Sequence, residues 1–260
     1  MRSLPILAAH SIRILAPRGL CGLLAAWLLL ASGTATATTI DFRAAGGSGG
    51  YGNSLVFSSG GISVTASAWA ETGAALPASP GYFVFQTAEI HSWGTGLGIC
   101  NRSEGLASAG CSSNEHEVDS AGRDDLLVLV CSQRVNFLGL TVDPWDGPGS
   151  DPNDRDIVYR IGDLPGGVPD LSSHGFATLG DIAGMGGEQL SAALSAYSPL
   201  THALTGTGNV LFLGGNHHDR SCSSRNVSAD RECEAYKVRG LAFTLSPAVL
   251  PLPASYWLLR

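Results

Sequence analysis

The sequence predicts an all-β fold, an antiparallel two-sheet β-sandwich of the jelly-roll type with long loops and at most one short helix. Many short segments are rich in strand-favouring residues, and glycine, proline and asparagine turns separate them. Glycine is abundant, with 34 residues in 260. Only residues 188–197 have apolar residues at helical spacing. No internal repeat is visible, which argues against propellers and solenoids.

The first half of the chain supplies a predicted strand and a predicted hairpin. Residues 39–43 alternate apolar and polar side chains, as expected for a first strand. Residues 54–57 and 62–68 predict a hairpin that turns at Ser58-Ser59-Gly60-Gly61. Residues 82–86 follow a Pro/Gly turn and predict another strand.

The second half contains the strongest strand signal after a long irregular stretch, residues 92–124. Residues 126–131 are continuously apolar, which predicts a strand buried on both faces, with 135–142 as its hairpin partner. The remaining predicted strands are 157–161, 209–214 and 238–245.

The chain divides into three predicted parts: a signal peptide (1–37), a β-sandwich domain (38–246) and a C-terminal tail (247–260). Three arginines precede the apolar run 20–31, which is too short for a membrane helix of about 20 apolar residues. Ala35-Thr36-Ala37 supplies the small residues of a cleavage site. We therefore expect a secreted or envelope protein whose mature chain begins at Thr38.

The charge of the mature chain argues against nucleic acid as a partner. Loss of the three signal-peptide arginines takes the net charge from −7 to −10. Lys237 is the only lysine in the sequence. Binding to a polyanion needs a basic face, which this composition does not favour.

The cysteines predict two disulfides and one buried thiol in the mature chain. The expected pairs are Cys100–Cys111 and Cys222–Cys233, because each pair brackets one polar loop. Each bridge would stabilise the fold by roughly 2–3 kcal/mol. Cys131 ends the apolar run and is expected to stay reduced. Zinc binding is the rival interpretation, but no C-x-x-C pair occurs and the pair His217-His218 lacks a second spaced ligand group.

An acidic loop between two predicted strands is a candidate structural calcium site. Its proposed ligands are Asp151, Asn153, Asp154 and Asp156, which are hard oxygen donors. No glutamate follows at the EF-hand spacing, and the prolines and glycine of the loop equally fit a solvated turn. No other cofactor is expected.

The tail resembles the PEP-CTERM sorting signal. Pro251-Leu252-Pro253-Ala254 matches the family's Pro-x-Pro-Ala type of motif, and Trp257-Leu258-Leu259 matches the aromatic and leucine residues that open its membrane helix. The family's pattern continues into a membrane helix and a basic end, beyond the residues that match here. The sorting-motif residues are therefore Pro251, Pro253, Ala254 and Trp257.

The body of the chain strengthens this resemblance. Gly96-Leu97-Gly98-Ile99, the pair Glu104-Gly105 and the stretch His116-Glu117-Val118-Asp119 resemble a segment of exosortase-dependent surface proteins. Asp154-x-Asp156-Ile157 resembles their recurring acidic step into a strand. The resemblance implies sorting to the cell surface, with an exosortase as partner if the full sorting tail exists.

Three classes of function remain open. The leading one is an exported, non-enzymatic bacterial surface or extracellular-matrix-associated protein, with extracellular polysaccharide as a candidate partner. The second is a secreted carbohydrate-binding jelly roll, which would use tryptophans near loops, namely Trp69, Trp93 and Trp145. The third and weakest is a secreted hydrolase. Its candidate acids and bases are Glu115, His116, Asp119, Asp124 and Asp125, which more often serve as turn formers, so no catalytic residue is assigned.

Overall fold

The computed structural model describes residues 36–45, 49–77, 83–102, 117–120, 123–144, 156–167, 169–191, 199–218 and 235–246. All of them belong to one compact unit, Thr36–Arg260. The described strands are β1 Thr38–Asp41, β2 Gly49–Gly50, β3 Ser54–Ser59, β4 Ile62–Ala75, β5 Phe83–Thr87, β6 Glu89–Trp93, β7 Gly96–Cys100, β8 Val118–Asp119, β9 Asp125–Pro144, β10 Ile157–Gly162, β11 Gln189–Ser191, β12 Leu200–Gly214 and β13 Ala235–Leu245.

Two 3₁₀ turns, Phe42–Ala45 and Phe176–Asp181, are the helical segments among the residues described. Every strand pairing in this part of the chain is antiparallel. The predicted fold class, an antiparallel all-β sandwich, is confirmed. No helix among the described residues is long and apolar enough to cross a membrane.

Two long neighbouring strands, β9 and β12, run through both layers of the sandwich. Residues 125–131 of β9 pair with β4, whereas residues 135–144 pair with β13, and β12 accompanies both halves. In the first layer, β4 therefore pairs with β3, β5 and β9, and the sheet continues from β9 through β12 and β10 to β11. In the second layer, β9 pairs with β12 and β13. β13 also pairs with β1, β7 and β8, and the sheet continues from β7 through β6 to β2.

Glycines and bulges lie where β12 passes from one layer to the other. Its register against β9 shifts between Ala203 and Gly206 and again between Gly208 and Val210. A Cβ at Gly208 would lie 2.1 Å from the carbonyl oxygen of Gly162 in β10. Strands that switch sheets bend through such irregularities, and glycine lets the backbones approach closely.

Alternate side chains of the shared strands fill two cores. From β9, Leu127 and Leu129 point into the core between the layers, while Leu126 and Val128 point to the other face. The segment after β10, which includes Phe176, covers that other face and creates a second, outer core. The prediction that residues 126–131 are buried on both faces is confirmed, and this covering segment explains why.

Three local predictions are wrong. Residues 126–131 and 135–142 form the single strand β9 and not a hairpin, because β4 pairs with the first half of the strand and β13 with the second. The predicted helix at 188–197 instead includes strand β11, because its backbone pairs with the edge of β10. The stretch 92–124 is not irregular throughout, since its beginning contains the end of β6 and the whole of β7.

Candidate functional site

The predicted calcium loop falls mostly outside the described residues. Asp151, Asn153 and Asp154 lie in the gap, and only Asp156 is described, half-buried directly before β10. The charge of Asp156 favours protonation of His202, but burial is the stronger influence and lowers the pKa of that histidine. Calcium binding by the loop stays a prediction.

The described cysteines are Cys100 and Cys131. Cys131 is a free, buried thiol, as the sequence predicts, and burial raises its pKa to about 12. Cys100 is buried at the end of β7. Its expected partner Cys111, and the pair Cys222–Cys233, lie outside the described residues, so both pairings stay predictions.

The sorting-motif residues Pro251, Pro253, Ala254 and Trp257 also lie outside the described residues. Two of the three tryptophans named for sugar stacking are described. Trp69 is buried in the outer core, where no ligand could stack on it, and Trp93 is half-buried at the end of β6. Trp145 lies outside the described residues.

Acidic residues lie at and beside the start of β9, where Glu71 and Asp125 are buried and Asp124 is half-buried. The amide of Glu71 donates to the carbonyl of Asp124 (3.0 Å), and Asn101 Nδ2 donates to Asp125 Oδ1 (3.4 Å). Burial raises the pKa of Asp124 to about 7. Burial, with the neighbouring charge of Asp124, raises the pKa of Glu71 to about 8. Glu71, absent from the sequence predictions, therefore lies beside Asp124, one of the candidate acids named from the sequence.

A second polar cluster lies at the edge of the outer core. Glu188 directly precedes β11, and His217 and His218 follow β12 in a tight turn. Two hydrogen bonds hold this turn: the amide of His217 donates to the carbonyl of Gly215 (2.9 Å), and the amide of His218 donates to the side-chain Oδ1 of Asn216 (3.2 Å). The rings of the two histidines lie side by side, with centroids 4.1 Å apart.

The ligand-capable atoms of this cluster are close together. His218 Nε2 lies 2.5 Å from Glu188 Oε1, and His217 Nε2 lies 3.6 Å from Glu188 Oε2. One such atom from each of the three residues lies within 4.8 Å of those from the other two. Within the described residues, this is the group of His, Cys, Asp and Glu side chains that could hold a metal ion.

Neighbouring side chains hold the cluster in place. Arg160 Nη2 donates to Glu188 Oε2 at 3.0 Å, and Arg160 Nη1 donates to the carbonyl of Gly186 at 3.3 Å. The ring of His217 stacks on Phe176, with centroids 4.3 Å apart. Arg160, Phe176 and Glu188 also line a cleft whose other walls are apolar. The three cluster residues differ in exposure, because His217 is buried, Glu188 is half-buried and the side chain of His218 is 57% exposed.

Burial keeps His217 neutral. It lowers the pKa of His217 to about 4, and the positive charges of His218 and Arg160 act in the same direction against the opposing charge of Glu188. A neutral imidazole has one ring nitrogen with a lone pair, which can accept a proton or bind a metal. The cluster therefore combines a neutral imidazole, an exposed imidazole and an oriented carboxylate.

The sequence interpretation missed this cluster because its members are far apart along the chain. The pair His217-His218 has no third ligand close to it in the sequence, and the helical spacing of residues 188–197 places Glu188 in a predicted helix. The available signal was a glutamate after the glycine-rich run Gly184-Met185-Gly186-Gly187, a composition that favours a loop over a helix. The sandwich brings the residues together because β10 pairs with β11 on one side and with β12 on the other.

Comparison of the chain with family models, with curated proteins and with solved structures found no match.

Proposed function

We propose that this chain is an exported, non-enzymatic protein of the bacterial surface or extracellular matrix. The observation that carries the proposal is the position of the first strand. β1 begins at Thr38, the residue expected to follow signal-peptide cleavage, and Thr38 pairs with Phe243 of β13. A cut after Ala37 would thus release the domain with its whole first strand.

The pairing of β1 explains why the cleavage position would matter. The four residues of β1, Thr38–Asp41, pair in register with β13, and Ile40 is buried in the core between the layers. A cut several residues later would remove part of this strand, and a cut several residues earlier would leave extra residues before it. The small residues Ala35 and Ala37 at the predicted cleavage site agree with the strand boundary.

The C-terminal tail supports the proposed destination of the exported chain, the bacterial surface. The motif Pro251-Leu252-Pro253-Ala254 resembles a PEP-CTERM signal, so an exosortase is the proposed sorting partner of a chain that carries the full signal. Extracellular polysaccharide is the proposed surrounding material and binding partner. The net charge of −10 for the mature chain argues against nucleic acid, a polyanion, as the binding partner instead.

Expression of the full chain in a Gram-negative host, followed by fractionation and N-terminal sequencing, tests the export proposal. We expect secreted or periplasmic protein that starts at Thr38. Ala37→Gln should retain the precursor, because the cleavage site needs a small residue there. Thr36→Gln, at the intervening position, is the matched control and should be processed normally. Unprocessed wild-type protein in the cytoplasm would overturn the proposal.

A further inference from the structure

Glu188, His217 and His218 have no role in the proposed surface function, yet the fold brings them together. We propose that these three residues form a binding site for a divalent transition-metal ion, and that zinc is the ion whose preferences they fit best. The inference is independent of the export proposal, since it concerns side chains of the folded domain alone.

The donor set selects the class of ion. Two imidazole nitrogens and one carboxylate oxygen are ligands that zinc takes in proteins, and three protein ligands leave one position of a tetrahedral site open. Calcium instead prefers six to eight oxygen ligands, and magnesium prefers carboxylates and water. The two histidines therefore separate this site from the predicted calcium loop and favour a transition metal.

The distances are close to those of a loaded site. Ligands about 2.0–2.1 Å from a tetrahedral zinc ion lie about 3.3 Å from one another. The separation of His218 Nε2 from Glu188 Oε1, 2.5 Å, is shorter. An ion would therefore push His218 Nε2 and Glu188 Oε1 apart by less than 1 Å, and the side chain of His218 is 57% exposed. His217 Nε2 lies 3.6 Å from the other carboxylate oxygen, Oε2, and one ligand atom of His217 lies within 4.8 Å of those of Glu188 and His218.

The buried half of the site is already organised. Phe176 holds the plane of His217 by stacking, and Arg160 holds Glu188 through Oε2 and leaves Oε1 for the ion. Contacts of this kind orient metal ligands, and their loss commonly weakens metal affinity by about 10–100-fold. The guanidinium also repels a cation, so we expect a weaker site than one built without an arginine.

The competing interpretation is a cluster of hydrogen bonds and ion pairs that binds no metal. Calorimetric titration of ZnCl₂ into the mature, untagged, chelator-treated protein decides between the two. We expect one equivalent of zinc to bind. His218→Ala and Glu188→Gln should each weaken binding at least tenfold, because each removes one ligand. His174→Ala is the matched control, since His174 lies outside the cluster and bonds to Ser173 Oγ, 3.3 Å from its Nδ1.

Two results would overturn the proposal: no stoichiometric zinc binding to the wild-type protein, or an affinity that His218→Ala leaves unchanged. The second result would place the zinc on other side chains. If Glu188→Gln fails to fold, as judged by its melting curve, the exposed His218 variant decides the question alone.

Cobalt provides a second, spectroscopic measurement. Co²⁺ absorbs visible light strongly in four-coordinate sites and weakly in octahedral surface sites. We expect strong bands in the wild-type protein and in His174→Ala, and their loss in His218→Ala. Weak bands in the wild-type protein would indicate adventitious surface binding and would also overturn the proposal.

Discussion

The imidazole of His217 lies against the ring of Phe176, with the centroids 4.3 Å apart and the planes inclined by 18°. Phe176 also meets Phe85 in an edge-to-face contact, with centroids 5.0 Å apart. The turn after β12, the 3₁₀ turn of the covering segment and strand β5 therefore share one cluster of ring contacts. The position of His217, and with it the geometry of the Glu188–His217–His218 cluster, depends on packing in the outer core.

Replacement of Phe176 by alanine should destabilise the protein by about 3–5 kcal/mol, because it removes a fully buried ring and leaves a cavity beneath His217. Urea unfolding measures this loss. Leu190→Ala is the matched control, because Leu190 is 57% exposed on β11 and its truncation should change stability by about 0.5 kcal/mol or less. Equal unfolding midpoints for the two variants would contradict a packed outer core.

The cysteines should react differently with alkylating reagents. Cys131 is buried in the core between the layers, and burial raises its pKa to about 12. It should therefore be alkylated only after the protein unfolds. Peptide mapping under non-reducing conditions should link Cys100 to Cys111 and Cys222 to Cys233. A linked peptide that contains Cys131 would contradict the assignment.

The close approach of β12 to β10 predicts a marked sensitivity at one glycine. Gly208→Ala would place a methyl group 2.1 Å from the carbonyl oxygen of Gly162, so one backbone must move, at a cost of about 1–3 kcal/mol. Gly166→Ala is the control, because a Cβ there meets no atom within 4 Å. Thermal unfolding of both variants checks this. A Gly208 variant as stable as the Gly166 variant would show that β12 and β10 are loosely packed at this point.

The sequence predicted several strands well because their signals are local. The hairpin of β3 and β4 turns at Gly60 and Gly61, both with positive φ, where the sequence places the turn. The apolar run in β9 likewise predicts burial on both faces without knowledge of its neighbours. In each case, the residues that form the element also determine its environment.

The remaining features depend on contacts between distant residues. Whether β9 turns back at Ser132 or continues is decided by β4 and β13, which take its two halves in turn. The pairing of β11 with β10 outweighs helical spacing near Glu188. The Glu188–His217–His218 cluster exists only after β10, β11 and β12 have assembled, so no short window of the sequence contains it.

Glu71 links the stability of the fold to pH. Its carboxyl is buried at the end of β4, where the amide of Phe83 donates to Oε1 (3.4 Å) and Asp124 lies nearby. Burial raises its pKa from 4.5 to about 8, so the folded protein keeps a proton that the unfolded chain loses above about pH 4.5. The contribution of Glu71 to the free energy of unfolding must therefore fall as the pH rises through this range.

Glu71→Gln should remove that loss, because glutamine keeps an oxygen acceptor for Phe83 and has no proton to release. We expect the variant to exceed the wild-type protein in stability at pH 8 by up to a few kcal/mol. At pH 5 the difference should be much smaller, which makes that measurement the internal control. The lowered pKa of His217 gives an opposite slope between about pH 4 and 6.5, but it acts equally in both proteins and cancels in their difference. Urea unfolding at the two pH values measures the change. If the two proteins differ by the same amount at pH 5 and pH 8, Glu71 ionises in the fold as freely as in the unfolded chain, and the prediction is wrong.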